Sequence, residues 1–427
     1  MRKMILAASV MLAINTTAVP VTAENVKPDG APETASVYVY LTDTETGQVI
    51  WSQNSEDPMF PASMTKMMTE ILAIEAIGDL NERIPITAEI MEGLYEANAA
   101  VAGFQIGDEP TVRDLLYGTA LASGAECVNA LAIRTDGSVR AFVDHMNRKA
   151  SELGMNDTHF MNPTGLHDPG HYSTCRDIGK LMAYCLRNDV FMELLQAKMY
   201  VSSPVASAPD GLAMNSTIWS QTEEYPVPGL IGGKTGFTYP AGRCLASNAS
   251  INGMNLILVT GKAPAAASSA IADAGTVYGW VRDHMGKRQL ISEGETFARI
   301  PVYDAKTELL TVSSDEAFVW DVMTDQEIRV ETDFPEELYA PLEAGDYLGT
   351  VSVYEGNDVL YQKEYYIQES VSFSRIRRIQ RALKEAWEEH PAMTAGGAAL
   401  ILLVMIGLKP KKSRKRRRKS TKRKTVR

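Results

Sequence analysis

The sequence predicts an α/β domain with a mostly antiparallel sheet, then a small all-β domain and a C-terminal transmembrane helix. Three observations carry that prediction. Strand-like segments at 37–52 and 231–261 enclose a series of amphipathic helical segments, so the two ends of one region close a single sheet. From about residue 291 the texture changes to short alternating runs bounded by turn residues, the pattern of a separate β-domain. Near the C-terminus Ala392–Leu408 is uncharged and mostly apolar over 17 residues, and Lys409 follows directly.

Taken in order, residues 1–23 read as a secretory signal peptide. Arg2-Lys3 precede an apolar stretch from Met4 to Ile14, and Val21-Thr22-Ala23 puts small residues at the −3 and −1 places of a cleavage site. A polar linker, 24–36, leads into the first domain, 37–288. There Val37–Leu41 alternates, Asp43–Gly47 turns and Gln48–Ser52 returns, which predicts an N-terminal hairpin. Pro61 introduces a helix on which Met64, Met67, Met68, Ile71, Leu72, Ile74 and Ile77 recur at helical spacing. Further helices are expected over 111–134, 138–153 and 176–196. Strands follow at 231–238, 243–250 and 254–261, the last two joined by the hairpin signal Asn252-Gly253.

The second domain, 291–370, shows the runs Ala298–Val302, Leu309–Val312, Ala317–Val322 and Ile328–Glu331, and a hairpin over 350–367 that turns at Glu355–Asp358. Over 371–390 Phe373, Ile376, Ile379, Leu383 and Trp387 form one stripe with four arginines on the other faces, which suits a juxtamembrane amphipathic helix or an ordinary stalk helix. Residues 391–408 are the transmembrane helix. Its apolar core spans roughly 25 Å at ~1.5 Å per residue, a little short of the ~30 Å hydrocarbon layer, and Lys409 can snorkel to close the gap. The tail, 409–427, carries 13 Lys/Arg and no acid, so it stays on the cytoplasmic side beside anionic headgroups while the body of the chain lies outside.

Composition excludes several classes. With 427 residues, 45% of them hydrophobic, the chain is not disordered, collagen-like or a mini-protein. Residues 24–408 hold 27 basic against 53 acidic side chains, a net of −26, which repels phosphate and argues against nucleic acid as a partner. Cys127, Cys175, Cys185 and Cys244 are scattered among apolar residues and form no C-x-x-C pair; buried small hydrophobes suit them better than any of the three possible disulfide pairings. The six histidines show no H-x-x-x-H or H-E-x-x-H spacing, so no catalytic metal is expected.

Three short elements carry chemistry. Pro61-Ala62-Ser63-Met64-Thr65-Lys66 places a serine and a lysine three apart, on one face of a helix. A lysine whose pKa is lowered by burial or by a second cation can take the proton from a serine hydroxyl, and a helix N-terminus offers N–H groups where negative charge develops. By itself S-x-x-K occurs by chance about once or twice in a chain this long, as a capping serine and a surface lysine. Lys234-Thr235-Gly236, on a predicted strand after Gly232-Gly233, can bind a terminal carboxylate, with Gly236 leaving room for a substrate backbone along the strand edge. Ser123-Gly124 separates two apolar helices, where serine is usually a cap.

Together, the order S-x-x-K, Ser-Gly, K-T-G at 63, 123 and 234 resembles the penicillin-recognising serine enzymes. Glu152-Leu153-Gly154-Met155-Asn156, Asn162-Pro163-Thr164-Gly165-Leu166-His167-Asp168, His171-Tyr172-Ser173-Thr174 and Ala241-Gly242 narrow the likeness to serine-type D-alanyl-D-alanine carboxypeptidases, the low-molecular-mass penicillin-binding proteins, over roughly 35–370. The resemblance implies a penicillin-binding/β-lactamase-like transpeptidase domain, a sheet with helices on both sides. It also implies a membrane-associated C-terminus and no cofactor. By the same likeness Ser63 is the nucleophile, Lys66 its base and Ser123 a proton relay. Lys234 and Thr235 hold the substrate carboxylate, with Gly236 beside them, and the backbone N–H groups of Ser63 and Phe237 form the oxyanion hole. The implied partners are a peptidoglycan stem peptide ending in D-Ala-D-Ala, and β-lactams that acylate Ser63. Nothing in the sequence signals an oligomeric state.

The family usually reads Ser-x-Asn in the second motif, but here Ser123-Gly124 is followed by Ala125, then Glu126. Alanine cannot hydrogen-bond a substrate backbone. Arg243, beside the K-T-G strand, is either a supplementary carboxylate-binding group or a surface arginine. Two alternatives stand beside the carboxypeptidase: a non-catalytic or very slow penicillin-binding sensor or scaffold, suggested by Ala125, and a β-lactamase with Glu152 as its deacylating glutamate. Truncation after residue 370 is expected to release a soluble protein that still binds penicillin, checked by membrane sedimentation and β-lactam labelling; a truncated protein that still pellets with membranes would reveal another attachment site.

Overall fold

The computed structural model describes residues 26–266 and 268–389, so the signal peptide, the transmembrane helix and the basic tail lie outside the described residues. The chain divides into two units. One runs to Arg288 and takes in Trp320–Asp325; the other holds Gln289–Val319 and the residues from Gln326 onward.

The first unit begins with strands β1 (Tyr38–Asp43) and β2 (Val49–Gln53), and a 3-10 turn at Ala62–Thr65 leads into helix α1 (Lys66–Ala76). Helices α2 (Ala88–Met91), α3 (Val112–Ala120), α4 (Ala125–Asp136), α5 (Val139–Glu152), α6 (Cys175–Cys185) and α7 (Asp189–Gln196) follow. A short hairpin, β3 (Met199–Val201) with β4 (Ala213–Asn215), precedes β5 (Leu230–Thr238), β6 (Gly242–Ile251), β7 (Met254–Ala263) and α8 (Ser269–His284). The sheet order is β2-β1-β7-β6-β5, antiparallel throughout, with the β1–β7 pairing joining the two ends of the unit.

Both faces of this sheet are buried, and β7 shows why its sequence is a continuous apolar run rather than an alternating one. Leu256 and Leu258 pack with Tyr278 and Val277 of α8 in one core, while Ile257 and Val259 point the other way into a core with Met67, Met68, Ile178 and Met182 of α1 and α6. Successive side chains leave a strand on opposite faces, so two apolar layers demand apolar residues at every position. A third core, under α2, α3 and α4, gathers Ile86, Phe104, Leu115, Leu116 and Leu131. The β6–β7 hairpin turns at Asn252-Gly253, both with left-handed φ (49° and 82°), as its sequence predicts.

The helical stretch over 111–134 is two helices, α3 and α4, with Ser123-Gly124 between them as the sequence indicates. Other elements differ in detail from expectation. The predicted helix over 176–196 is also two, because the Asn188 side chain accepts from the N–H groups of Val190 and Phe191 and starts α7 afresh. Helix α8 and the β3–β4 hairpin gave no clear periodic signal.

The chain goes on through β8 (Met285–Ile291), β9 (Thr296–Tyr303), β10 (Leu309–Ser313), β11 (Phe318–Met323), β12 (Ile328–Asp333), β13 (Leu338–Tyr339), β14 (Tyr347–Glu355) and β15 (Asp358–Tyr366) to helix α9 (Arg375–Glu389); most of β8 and β11 belongs to the first unit and the other elements to the second. Two three-stranded sheets, β10-β9-β13 and β12-β14-β15, enclose Ile300, Val302, Val312, Val351 and Val353. Buried Lys363 is neutralised by Asp315 and Glu316 at 2.5 and 2.9 Å. On α9, Ile376 and Trp387 of the apolar stripe are exposed, and Arg381 pairs with Asp304.

Candidate active site

The first unit holds a cavity of about 650 Å³ lined by Ser63, Lys66, Ser123, Thr235, Phe237 and Arg243 among others. The three sequence elements, far apart in the chain, therefore meet at one site. Ser63 sits in the 3-10 turn rather than on the first α-helical turn, and the preceding residue Ala62 has a left-handed φ of 49°. That turn delivers Lys66 as the first residue of α1, and Lys66 Nζ donates to Ser63 Oγ at 2.9 Å and to the Thr164 carbonyl at 2.6 Å.

The Asn162–Asp168 segment exists to make that second contact. Asn162 Oδ1 accepts from the N–H groups of Thr164 and Gly165 and from Thr164 Oγ1, while its amide donates to the Leu166 carbonyl. The resulting turn is clamped to α1 because Thr69 Oγ1 donates to the Pro163 carbonyl at 2.8 Å. Buried His171 braces the other side. Met161 N–H donates to Nδ1, which leaves the proton on Nε2 to be donated to Thr65 Oγ1, 2.8 Å away. Burial lowers the His171 pKa to about 4, so the ring stays neutral.

Lys234 points inward from β5 and is 2% exposed; its ammonium donates to Ser123 Oγ at 3.2 Å. Ser123 itself has a left-handed φ of 57° between α3 and α4. Thr235 faces the cavity, its hydroxyl 2.7 Å from that of Thr217, a partner that no sequence motif marked. Burial and the Lys234 charge lower the pKa of Lys66, while Glu70 and Glu126 oppose them, leaving it at about 7. Both causes named for an activated lysine, desolvation and a second cation, thus act on Lys66.

A Cβ on Gly236 would lie 3.1 Å from both Ala62 Cβ and Ser63 N, so the close approach of the 3-10 turn to β5 is a further reason for glycine there. The same approach sets the Ser63 and Phe237 backbones beside one cavity. Arg243, opposite Phe237 in the β5–β6 register, lines the cavity, stacks its guanidinium 4.3 Å from the Phe237 ring and donates Nε–H to the Ala265 carbonyl at 3.4 Å. Ala125 lines the cavity, whereas Glu126 is buried and accepts from Gly103 N–H at 2.8 Å. Glu152, at the end of α5, is mostly exposed beside Lys149 and is not among the cavity residues. All four cysteines are buried and unbridged.

Residues 24–265 match the family described as D-alanyl-D-alanine carboxypeptidase, and residues 286–372 match the C-terminal domain of penicillin-binding protein 5. The chain belongs to the D-alanyl-D-alanine carboxypeptidase family. It is a member of a family of serine peptidases. It is 29% identical over 345 residues to the D-alanyl-D-alanine carboxypeptidase DacF of Bacillus subtilis, covering 78% of this chain and 84% of that one. The solved structure of penicillin binding protein 5 from Haemophilus influenzae shares the fold, with a TM-score of 0.62 at 22% identity over 81% of this chain and 99% of its own. The DD-transpeptidase of Streptomyces K15 superimposes with a TM-score of 0.54 at 27% identity, covering 58% of this chain and 98% of that one.

Among these carboxypeptidase features Gly165 is the tightest fit. Its φ is +77°, and a Cβ would fall 1.9 Å from the carbonyl oxygen of Ala62, directly before Ser63. Gly154 has a similar φ of +68° but open space around it. Gly165→Ala is therefore expected to cost about 1–3 kcal/mol and to reduce β-lactam labelling, and Gly154→Ala to lose only the smaller cost of the backbone conformation. Thermal melts and labelling of both variants check this; equal effects would mean that the Ala62 contact does not matter.

Proposed function

We propose that the protein removes the terminal D-alanine from peptidoglycan stem pentapeptides through an acyl-enzyme on Ser63, and that β-lactams acylate the same serine. The observation that carries this reading is the 2.9 Å contact between Ser63 Oγ and a buried Lys66 whose pKa has fallen to about 7. Neutral Lys66 takes the Ser63 proton as Oγ bonds to the carbonyl carbon of the penultimate D-alanine. The Ser63 and Phe237 N–H groups stabilise the oxyanion. As the C–N bond breaks, the proton passes from Lys66 to the departing amine with Ser123 as relay. Lys234 and Thr235, with Arg243 as a supplementary cation, hold the D-alanine carboxylate. Water then attacks the ester, Lys66 again taking a proton, and frees the shortened peptide and Ser63. No metal or organic cofactor has a step in this sequence.

We also propose that the mature protein is held at the cell membrane by one C-terminal span, its catalytic unit outside and its basic tail in the cytoplasm. Peptidoglycan lies on that outer side. The sensor or scaffold reading has one observation in its favour. Ala125 leaves no amide at the second motif, and Glu126, turned toward Gly103, does not refill the place. The lactamase reading is disfavoured by the position of Glu152 outside the cavity.

Ser63→Ala is expected to abolish β-lactam labelling without lowering Tm, and Lys66→Ala to slow acylation by about 10²–10⁴-fold. Because only neutral Lys66 accepts a proton, wild-type acylation should rise with pH through about 7. Labelling that survives in Ser63→Ala, measured by mass spectrometry, sinks the mechanism.

The missing amide at Ala125 costs one hydrogen bond to substrate, about 0.5–1.5 kcal/mol, or a few-fold to tenfold in rate. Turnover should be slow but real, and Ala125→Asn should raise kcat/KM for D-alanine release by that factor. If Ala125→Asn lowers activity while Arg243→Ala abolishes it, the pocket is built around a different contact.

A further inference from the structure

Around Ala125 the cavity has one side chain that can hydrogen-bond a substrate backbone and that the mechanism above leaves without a task. Ala97, Asn98, Ala99 and Ala100 line the cavity together with Ala122 and Ala125, and Asn98 is the one amide among them. Ser123, the polar residue next to them, is taken by Lys234, and Glu126 is turned to Gly103. The Asn98 side chain is exposed, and its amide makes no hydrogen bond among the described residues. A carboxamide offers two donors and an acceptor, which match the C=O and N–H of a peptide unit.

The segment that carries Asn98 is fastened on both sides. Beyond it, Ala125 N–H donates to the Ala100 carbonyl at 2.8 Å, and Glu126 Oε1 accepts from Gly103 N–H at 2.8 Å, which ties the chain to the start of α4. Before it, the Asn129 amide of α4 donates to the Ile90 carbonyl of α2 at 3.0 Å. Between these ties the N–H groups of Ala97, Asn98 and Ala99 donate to the carbonyls of Gly93, Tyr95 and Leu94, and Leu94 is buried. Two residues of chain span at most about 7 Å, so Asn98 Cα lies within that distance of the residue bonded to Ala125. Asn98 has a left-handed φ of 49°, a conformation that asparagine tolerates better than most residues with a side chain. The turn alone explains an asparagine there, and it does not explain why the amide stands unpaired at the cavity.

We propose that Asn98 supplies the substrate-binding amide that the second motif lacks, its carboxamide hydrogen-bonding the peptide unit ahead of the penultimate D-alanine and the acylamino group at the corresponding place in a penicillin. The role rests on the carboxypeptidase reading and makes Asn98 a specificity determinant within it. Asn98 touches the ligand away from the reacting bond and takes no part in proton transfer, which Ser63, Lys66 and Ser123 carry. Removing its amide should therefore slow ligands that present an amide of their own and spare those that do not.

The test compares acylation of Ser63 by benzylpenicillin, which has an acylamino side chain, with acylation by 6-aminopenicillanic acid, which has the same nucleus and no acyl amide. Asn98→Gly removes the carboxamide and keeps the left-handed turn. It should lower the benzylpenicillin rate constant by a few-fold to about tenfold, the worth of one hydrogen bond, and leave that of 6-aminopenicillanic acid within about twofold. Asn98→Ala loses the same amide and strains the turn, so it should lower Tm and show the same selectivity; should one variant fail to fold, the other decides. The readout is the ratio of the two rate constants, because a general disturbance of the site slows both ligands alike. Rates unchanged for both ligands would leave Asn98 a turn residue alone, and equal losses for both would make its effect structural; either result overturns the proposal. A wild-type protein that benzylpenicillin does not acylate at Ser63 would defeat the functional reading itself, whereas normal acylation with an unchanged ratio in Asn98→Gly defeats only the role of Asn98.

Discussion

Removing an ammonium group from water costs several kcal/mol unless it is paired or loses its proton, and this protein buries two in one site, Lys66 and Lys234. Much of the surrounding architecture answers that cost. The Asn162 turn supplies a carbonyl to Lys66, and the helix break at Ser123 supplies a hydroxyl to Lys234. Each satisfies one proton of its lysine, and burial lowers the pKa of both ammonium groups.

The same site stores backbone strain. Ala62 and Ser123 are both non-glycine residues in the left-handed region, conformations that cost about 1–3 kcal/mol each and persist only when their surroundings over-determine them. Here the surroundings do so. Ala62 lies against two glycines: a Cβ on Gly165 would fall 1.9 Å from its carbonyl oxygen, and one on Gly236 would come within 3.1 Å of its Cβ. Ser123 is followed by Gly124, whose N–H donates to the Gly118 carbonyl, and by Ala125, whose N–H donates to the Ala100 carbonyl, so the helix break is fixed from two directions. The two hydroxyls are thus held by packing on rigid elements rather than by loops that must close.

What the sequence made legible follows from this. The strands of the sheet, the β6–β7 turn and the helices with one apolar stripe all announced themselves through periodicity, and Ser63, Lys66, Ser123, Lys234 and Thr235 through motif spacing. Helix α8 did not, because its polar residues do not gather on a single face and small residues such as Gly275 and Gly279 interrupt it. The close approach of Gly236 to Ala62 and Ser63 involves residues remote in sequence. Such long-range contacts leave no local pattern, and neither does the pairing of Thr217 with Thr235.

The two halves of the site are built differently, which bears on how Ala125 is tolerated. The half that holds the proposed proton transfers, Ser63, Lys66, Ser123 and Lys234, is largely buried and joined by hydrogen bonds from Lys66 to Ser63 and from Lys234 to Ser123. Beside Ala125 the cavity is lined by Ala97, Ala99, Ala100 and Ala122, side chains that offer shape and no hydrogen bonds, and by Asn98, whose amide can make them. Binding of a substrate backbone there can draw on that amide, on main-chain groups and on the edge strand β5, whose outer side has no partner strand among the described residues. A side chain lost from that wall weakens the hold on substrate by one contact among several. The lysine pair is unaffected, because its geometry is set from the other side by α1, β5 and the Asn162 turn. In the proposed reaction the departure at Ala125 therefore acts on how well the transition state is gripped, and leaves the steps of proton transfer intact.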